Sequence, residues 1–149
     1  MINIKKRNPK LADRKGQALI ETALAVPIIL LLIFSFIDLG RAIYYYSALQ
    51  NSVREGARYA SVHKLETTDD TDLVKDKVVA YSVAVDITTS DVTVTPETYV
   101  SGTTTEVTVS ASYGFEPITP FLAWAFDPSS PSAIVMNAET TMLLAPIAK

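Results

Sequence analysis

Few side chains in this sequence have the type and spacing that chemistry requires, and the first to ask for an explanation is Glu21. It is a carboxylate at the start of a long apolar run: between Ala18 and Leu39 only Glu21 and Asp38 are charged. A charged side chain at the centre of a bilayer helix costs about 2.5–3.5 kcal/mol. In the first turn, near the membrane edge, the cost is smaller because the helix dipole favours an anion there. Other candidates carry less. His63 is the only histidine, so a zinc site or a histidine-based triad lacks partners. The sequence contains no G-x-S-x-G and no phosphate-binding glycine loop, and it has only five glycines. Asp69, Asp70, Asp72 and Asp76 offer oxygen ligands, but without the glycine turn and closing glutamate of an EF-hand loop. They read as a solvated loop leading into a helix N-terminus, and His63 as a residue that caps or follows a helix end. We therefore expect no enzyme, no cofactor, no metal and no small-molecule substrate.

The elements that position Glu21 follow from hydropathy. The segment Ala18–Leu39, with Leu31 and Phe34 near its middle, rises about 33 Å as a helix, enough to cross a hydrocarbon core of about 30 Å. Leu30 to Phe34 is apolar on every face, and Pro27 lies inside the run, where membrane helices tolerate it. Before the span, residues 1–16 hold six cations and one anion, so the N-terminus is expected to stay in the cytoplasm. The remaining residues carry a net charge of −8, which argues against nucleic acid as a partner. With no cysteine, the outer part must hold together by packing alone.

A secretory signal would place a small-residue cleavage site after the apolar stretch, and none is found there. The informative arrangement lies before it, in Arg14-Lys15-Gly16-Gln17-Ala18-Leu19-Ile20-Glu21. A basic leader ending in glycine, with glutamate as the fifth residue beyond, resembles the type IV prepilin signal. Thr22 stands where such signals often carry an aromatic residue. Together with Pro27, Ile37-Asp38-Leu39-Gly40-Arg41, Arg54-Glu55-Gly56-Ala57-Arg58-Tyr59-Ala60 and the later Val107–Ile118 segment, the sequence resembles the TadE-like family of minor pilins or pseudopilins of tight-adherence (Tad, or Flp) pilus systems. The resemblance implies cleavage between Gly16 and Gln17 by a prepilin peptidase, with the apolar helix kept as the assembly element. It implies that Glu21 meets the N-terminal amine of a neighbouring pilin subunit, and that an inner-membrane assembly platform is a further partner. Read from chemistry alone, the alternative is that Glu21 simply snorkels at the interface.

Beyond the membrane, Ile43, Tyr46, Gln50, Val53, Ala57 and Ala60 recur at spacings of three and four, which continues the helix to Val62. Gly40 and Gly56 would permit close helix contact. Tyr44-Tyr45-Tyr46 sits where an interfacial aromatic belt is expected. Leu73, Val74, Lys77, Val78 and Tyr81 predict a short helix. Alternation at Val92 and Val94, and at Val107, Val109, Ala111 and Tyr113, predicts two strands joined by Pro96 to Gly102. Phe121 to Phe126 predicts an apolar helical turn or two, Asp127 to Pro131 a loop, and Ala133 to Leu144 a third strand antiparallel to the second. The expected architecture is α+β: a basic leader over 1–16, a long helix over 17–62 spanning the membrane at about 18–39, and a small extracytoplasmic domain over 63–149 with one short helix and a three-stranded antiparallel sheet. The functional expectation is a single-pass cytoplasmic-membrane protein that serves as a pilin-like subunit in assembly and attachment. The competing expectation is an uncut membrane-anchored module that binds an extracellular partner.

Overall fold

The structure is a computed structural model that describes residues 9–63, 65, 67–96, 106–119, 124, 128–129 and 133–144. Most of the connection expected from Pro96 to Gly102, and of the segment from Phe121 to Pro131, lies outside the described residues. Within it Trp124 is helical and exposed, and Pro128 and Ser129 form a turn.

One helix dominates. α1 runs from Pro9 to Val62, about 81 Å at 1.5 Å per residue. Proline suits its first position because no partner is needed for the missing N–H. Pro27 is held inside the helix. At the far end His63 donates its backbone N–H to the Tyr59 carbonyl at 3.2 Å. Its ring Nδ1 lies 2.9 Å from the same oxygen, and the ring stacks on Tyr59 with centroids 3.9 Å apart. The histidine thus follows and closes the helix, as its position implies.

α2 spans Thr68–Tyr81. It starts where the sequence is rich in capping residues: Thr67 Oγ1 accepts from Asp70 N–H at 3.4 Å, while Asp70 Oδ2 accepts from Thr67 N–H at 2.9 Å. Three strands follow, β1 (Val92–Thr95), β2 (Glu106–Phe115) and β3 (Ile134–Leu143), in the order β1-β2-β3 and antiparallel throughout. The register sets Val94 opposite Val109 and Ala111 opposite Ala138. This is the α+β layout that the alternating valines imply.

The period-2 pattern puts Val92, Val94, Val107, Val109, Ala111, Phe115 and Ala138 on the face turned towards the helices, all buried. Against them α1 contributes Leu49, Val53, Ala57 and Ala60, and α2 contributes Val74 and Val78. The core therefore crosses residue 63: the outer half of α1 is one wall of the head. Burying each of the valine, leucine and phenylalanine side chains is worth about 1.5–3 kcal/mol relative to exposure.

Two details of the helix pattern differ from expectation. Leu49 and Ser52 share the buried stripe with Val53, whereas Ile43 and Tyr46 face outward. Ser52 tolerates burial because its hydroxyl donates to the Leu49 carbonyl at 2.8 Å. In α2, Thr71 is buried and Leu73 and Tyr81 are half exposed. Gly56 does allow close contact, since a Cβ there would collide with the Val78 side chain; a Cβ on Gly40 would meet nothing within 4 Å.

Candidate functional site

The inner half of α1 is where processing and assembly chemistry would occur. Residues 16–62 form one helix long and apolar enough to cross a membrane, and its most apolar 18-residue window is 0% buried within the chain. Ala18, Pro27, Leu31, Phe34 and Leu39 are all exposed along it.

In hydrocarbon, every polar group must be satisfied without water. Between residues 18 and 37 three side chains are polar: Glu21, Thr22 and Ser35. Thr22 Oγ1 donates to the Ala18 carbonyl at 2.9 Å, and Ser35 Oγ donates to the Leu31 carbonyl at 2.8 Å. These back-bonds hide both hydroxyls within the helix. A carboxylate has no proton to give, so Glu21 cannot be hidden in the same way. It is exposed on α1, little more than one turn beyond Gly16 and Gln17. Gly16 meets no neighbour either: a Cβ there would find nothing within 4 Å, so packing inside the chain does not demand glycine.

The second carboxylate of the apolar run has the opposite fate. Asp38 is fully buried and accepts four hydrogen bonds. Its Oδ1 accepts from Arg41 Nη1 at 3.1 Å and from Ile118 N–H at 2.9 Å. Its Oδ2 accepts from Thr119 N–H at 2.8 Å and Thr119 Oγ1 at 2.6 Å. Two adjacent backbone amides after β2, some eighty residues away in sequence, thus close on one side chain of α1. The residues around it form a collar. Arg41 lies 5.6 Å from the Tyr45 ring and 5.3 Å from the Phe115 ring. Tyr45 meets Tyr113 and Phe115 edge-on at centroid distances of 5.9 and 5.8 Å. Burial among these rings pushes the Tyr113 phenol above its ordinary pKa.

Sequence reasoning missed this collar. The hydropathy reading ends the span at Leu39, with Asp38 inside it, and assigns Tyr44-Tyr45-Tyr46 to an interfacial belt. Tyr44 and Tyr46 do face outward, but Tyr45 turns into the head. The available signals were the Asp38–Arg41 spacing of three and a dipeptide, Ile118-Thr119, flanked by Pro117 and Pro120.

Among the described residues no group of three His, Cys, Asp or Glu side chains is placed to hold a metal ion. Asp70 serves the start of α2, and Asp72 pairs with Lys75 at 3.1 Å. The outer face of the sheet forms a shallow hollow of about 510 Å³ lined by Asp91, Thr93, Ser110, Ser112, Asn137 and Glu139, among others.

Fold and site together define a membrane-type helix that carries a small α+β head, locked to the helix where its apolar run ends. Residues 16–58 match the family described as TadE-like protein, which suggests a protein associated with a Tad-type pilus. The chain matches no curated protein and no solved structure.

Proposed function

We propose that this chain is a pilin-like structural subunit, a minor pilin or pseudopilin of a Tad-type pilus, that acts in pilus assembly and surface attachment. In this reading it inserts with its N-terminus in the cytoplasm and is cut after Gly16 by a prepilin peptidase. It then joins other pilin subunits through α1, on an inner-membrane assembly platform and without catalysing a reaction. The observation that carries the proposal is the state of the polar groups in the span. Thr22 and Ser35 are satisfied by their own helix, which leaves Glu21 to seek a partner outside the chain. Cleavage before Gln17 would create a cationic amine on every copy, and an amine from a neighbour is a fitting counter-charge in lipid. The family match beginning at Gly16 supports the same reading.

The test compares insertion, processing and assembly in one set of variants. Gly16→Val should block removal of Met1–Gly16, read by mass spectrometry of the mature N-terminus. Glu21→Ala and Glu21→Gln should insert and be cut normally but be depleted from sheared fibres. Normal fibre recovery for both would leave Glu21 as a snorkelling bystander and remove the main support for the proposal.

A second reading, an uncut membrane-anchored binding module, is favoured by one observation. α1 begins at Pro9 and passes through Gly16 as continuous helix, with no break at the cleavage position. A mature chain that retains its leader would decide for it.

A further inference from the structure

Beyond the leader the chain is acidic, yet its cations are unevenly placed. Among the described residues they are Arg41, Arg54, Arg58, Lys75 and Lys77. Arg41 is committed to Asp38 and Lys75 to Asp72, each at 3.1 Å. Of the other three, Arg54 and Arg58 occupy successive turns of α1, and Arg58 and Lys77 meet at Tyr59, with Lys77 over its ring 5.6 Å from the centroid.

Between the helices at this point runs a groove of about 280 Å³, lined by Glu55, Arg58, Tyr59, Val62, Lys77 and Tyr81. Glu55 is 3.8 Å from an Arg58 side chain that is 74% exposed, so it neutralises that arginine only weakly. Val62 and Tyr81 are 67% and 55% exposed. Two tyrosines and an arginine beside an exposed valine have the composition of interface anchors.

The complementary surface is on the same chain. Asp69, Asp72 and Asp76 are exposed at i, i+3 and i+7 of α2, which puts them on one face with half-exposed Leu73 among them, and of these Asp72 also carries the Lys75 pair. Carboxylates around a leucine match cations around Val62 and Tyr81. This face cannot fold into its own groove, because Asp69–Asp76 and the groove residues Lys77 and Tyr81 are fixed along one rigid helix, α2.

We propose that the groove of one copy receives the Asp69–Asp76 face of a second copy standing beside it in the same membrane. This rests on the fibre-subunit reading, in which all copies share one polarity. The two patches are centred six to seven residues apart on α2, so neighbours would be staggered by roughly 10 Å along the helix. A contact between unlike patches that also steps along the axis does not close into a ring; it repeats from copy to copy as an open helical array. Lipid headgroups are not the occupant, since Arg58 lies roughly 29 Å along α1 from Leu39.

The chain has no cysteine, which gives a clean background for cross-linking. Two differently tagged full-length copies, one with Tyr81→Cys and one with Leu73→Cys, are produced in the same cells and oxidised. The expected result is a mixed disulfide between the two tags and none when either variant is alone. Arg58→Glu with Lys77→Glu on the first copy should lower the mixed product by at least about tenfold. Asp69→Lys with Asp72→Lys on the second copy should restore it. No mixed product from chains that are inserted and cut after Gly16 would overturn the docking and leave the subunit reading intact. Like-with-like disulfides, or a bond to a different polypeptide, would also overturn it. Uncut chains that still give the mixed product would uphold the docking and count against the subunit reading alone.

Discussion

Both halves of α1 are rich in apolar side chains, yet among the described residues only the outer half finds partners for them within the chain. Leu30 to Phe34 are each about half exposed, whichever way they point. Leu49, Val53, Ala57 and Ala60, spaced by three and four, are fully buried against α2 and the sheet. The two carboxylates divide in the same way, Glu21 open and Asp38 enclosed by four donors. An all-round apolar surface calls for a surrounding medium, whereas a stripe calls for one neighbour. One helix carries both instructions in succession.

The largest effect should come from the junction of the halves. Asp38→Ala would leave the Ile118 and Thr119 amides without their acceptor and Arg41 without its counter-charge. We expect a loss of about 4 kcal/mol from the stability of the head. Unfolding in detergent micelles, followed by the near-ultraviolet dichroism of the tyrosine collar, would measure it. Insertion should be unchanged. If the variant melts with the wild type, packing alone joins the two halves.

A matched pair sharpens the comparison. Leu49→Ala should cost about 3 kcal/mol in the same experiment, as a large-to-small change in a closed core. Leu31→Ala, on the exposed half, should stay within about 0.5 kcal/mol. Equal losses would mean that the inner half also packs within the chain, and the contrast would fall.

The smallest effect is a pH dependence confined to the head. The Thr88 backbone N–H donates to Asp91 at 2.8 Å, and the Thr88 hydroxyl does so at the same distance. The first and then the second of these bonds hold the Asp91 carboxyl below its ordinary pKa. A carboxyl depressed in the folded state adds stability above its unfolded value. That contribution should fade as the pH falls below about 4. Asp91→Asn should flatten that part of the acid melting curve relative to wild type, and a variant curve parallel to wild type would show that the bond is not maintained in solution.

Much of this architecture is visible in residue order because its causes are local. Val92 and Val94, then Val107, Val109 and Ala111, alternate as a half-buried sheet requires, and the register follows. Thr67 to Asp72 holds the capping chemistry that starts α2. The phase of the outer stripe was harder to read, because Ile43, Tyr45, Tyr46 and Leu49 put apolar atoms on more than one side of the helix. Only contact with the sheet decides that Tyr45 and Leu49 turn inward. Asp38 was illegible for a related reason: two of its donors are backbone amides, which have no signature in the sequence, and they arrive only after the intervening chain has folded.

That closure has a mechanical side. In the proposed role as a fibre subunit the chain would be pulled, and the geometry of attachment would decide how it resists. Here the head grips its stalk from the neighbourhood of Asp38 to Ala60, roughly 33 Å of helix. A tug along the helix would therefore be borne in shear, by many contacts at once, which could not be unzipped singly from the free end. The Asp38 clasp sits at the end nearest the membrane, where a sideways force on the head would have its longest lever arm. It acts as a rivet at the base of the lever, and tension would reach the inner half of α1 without first prising the head away.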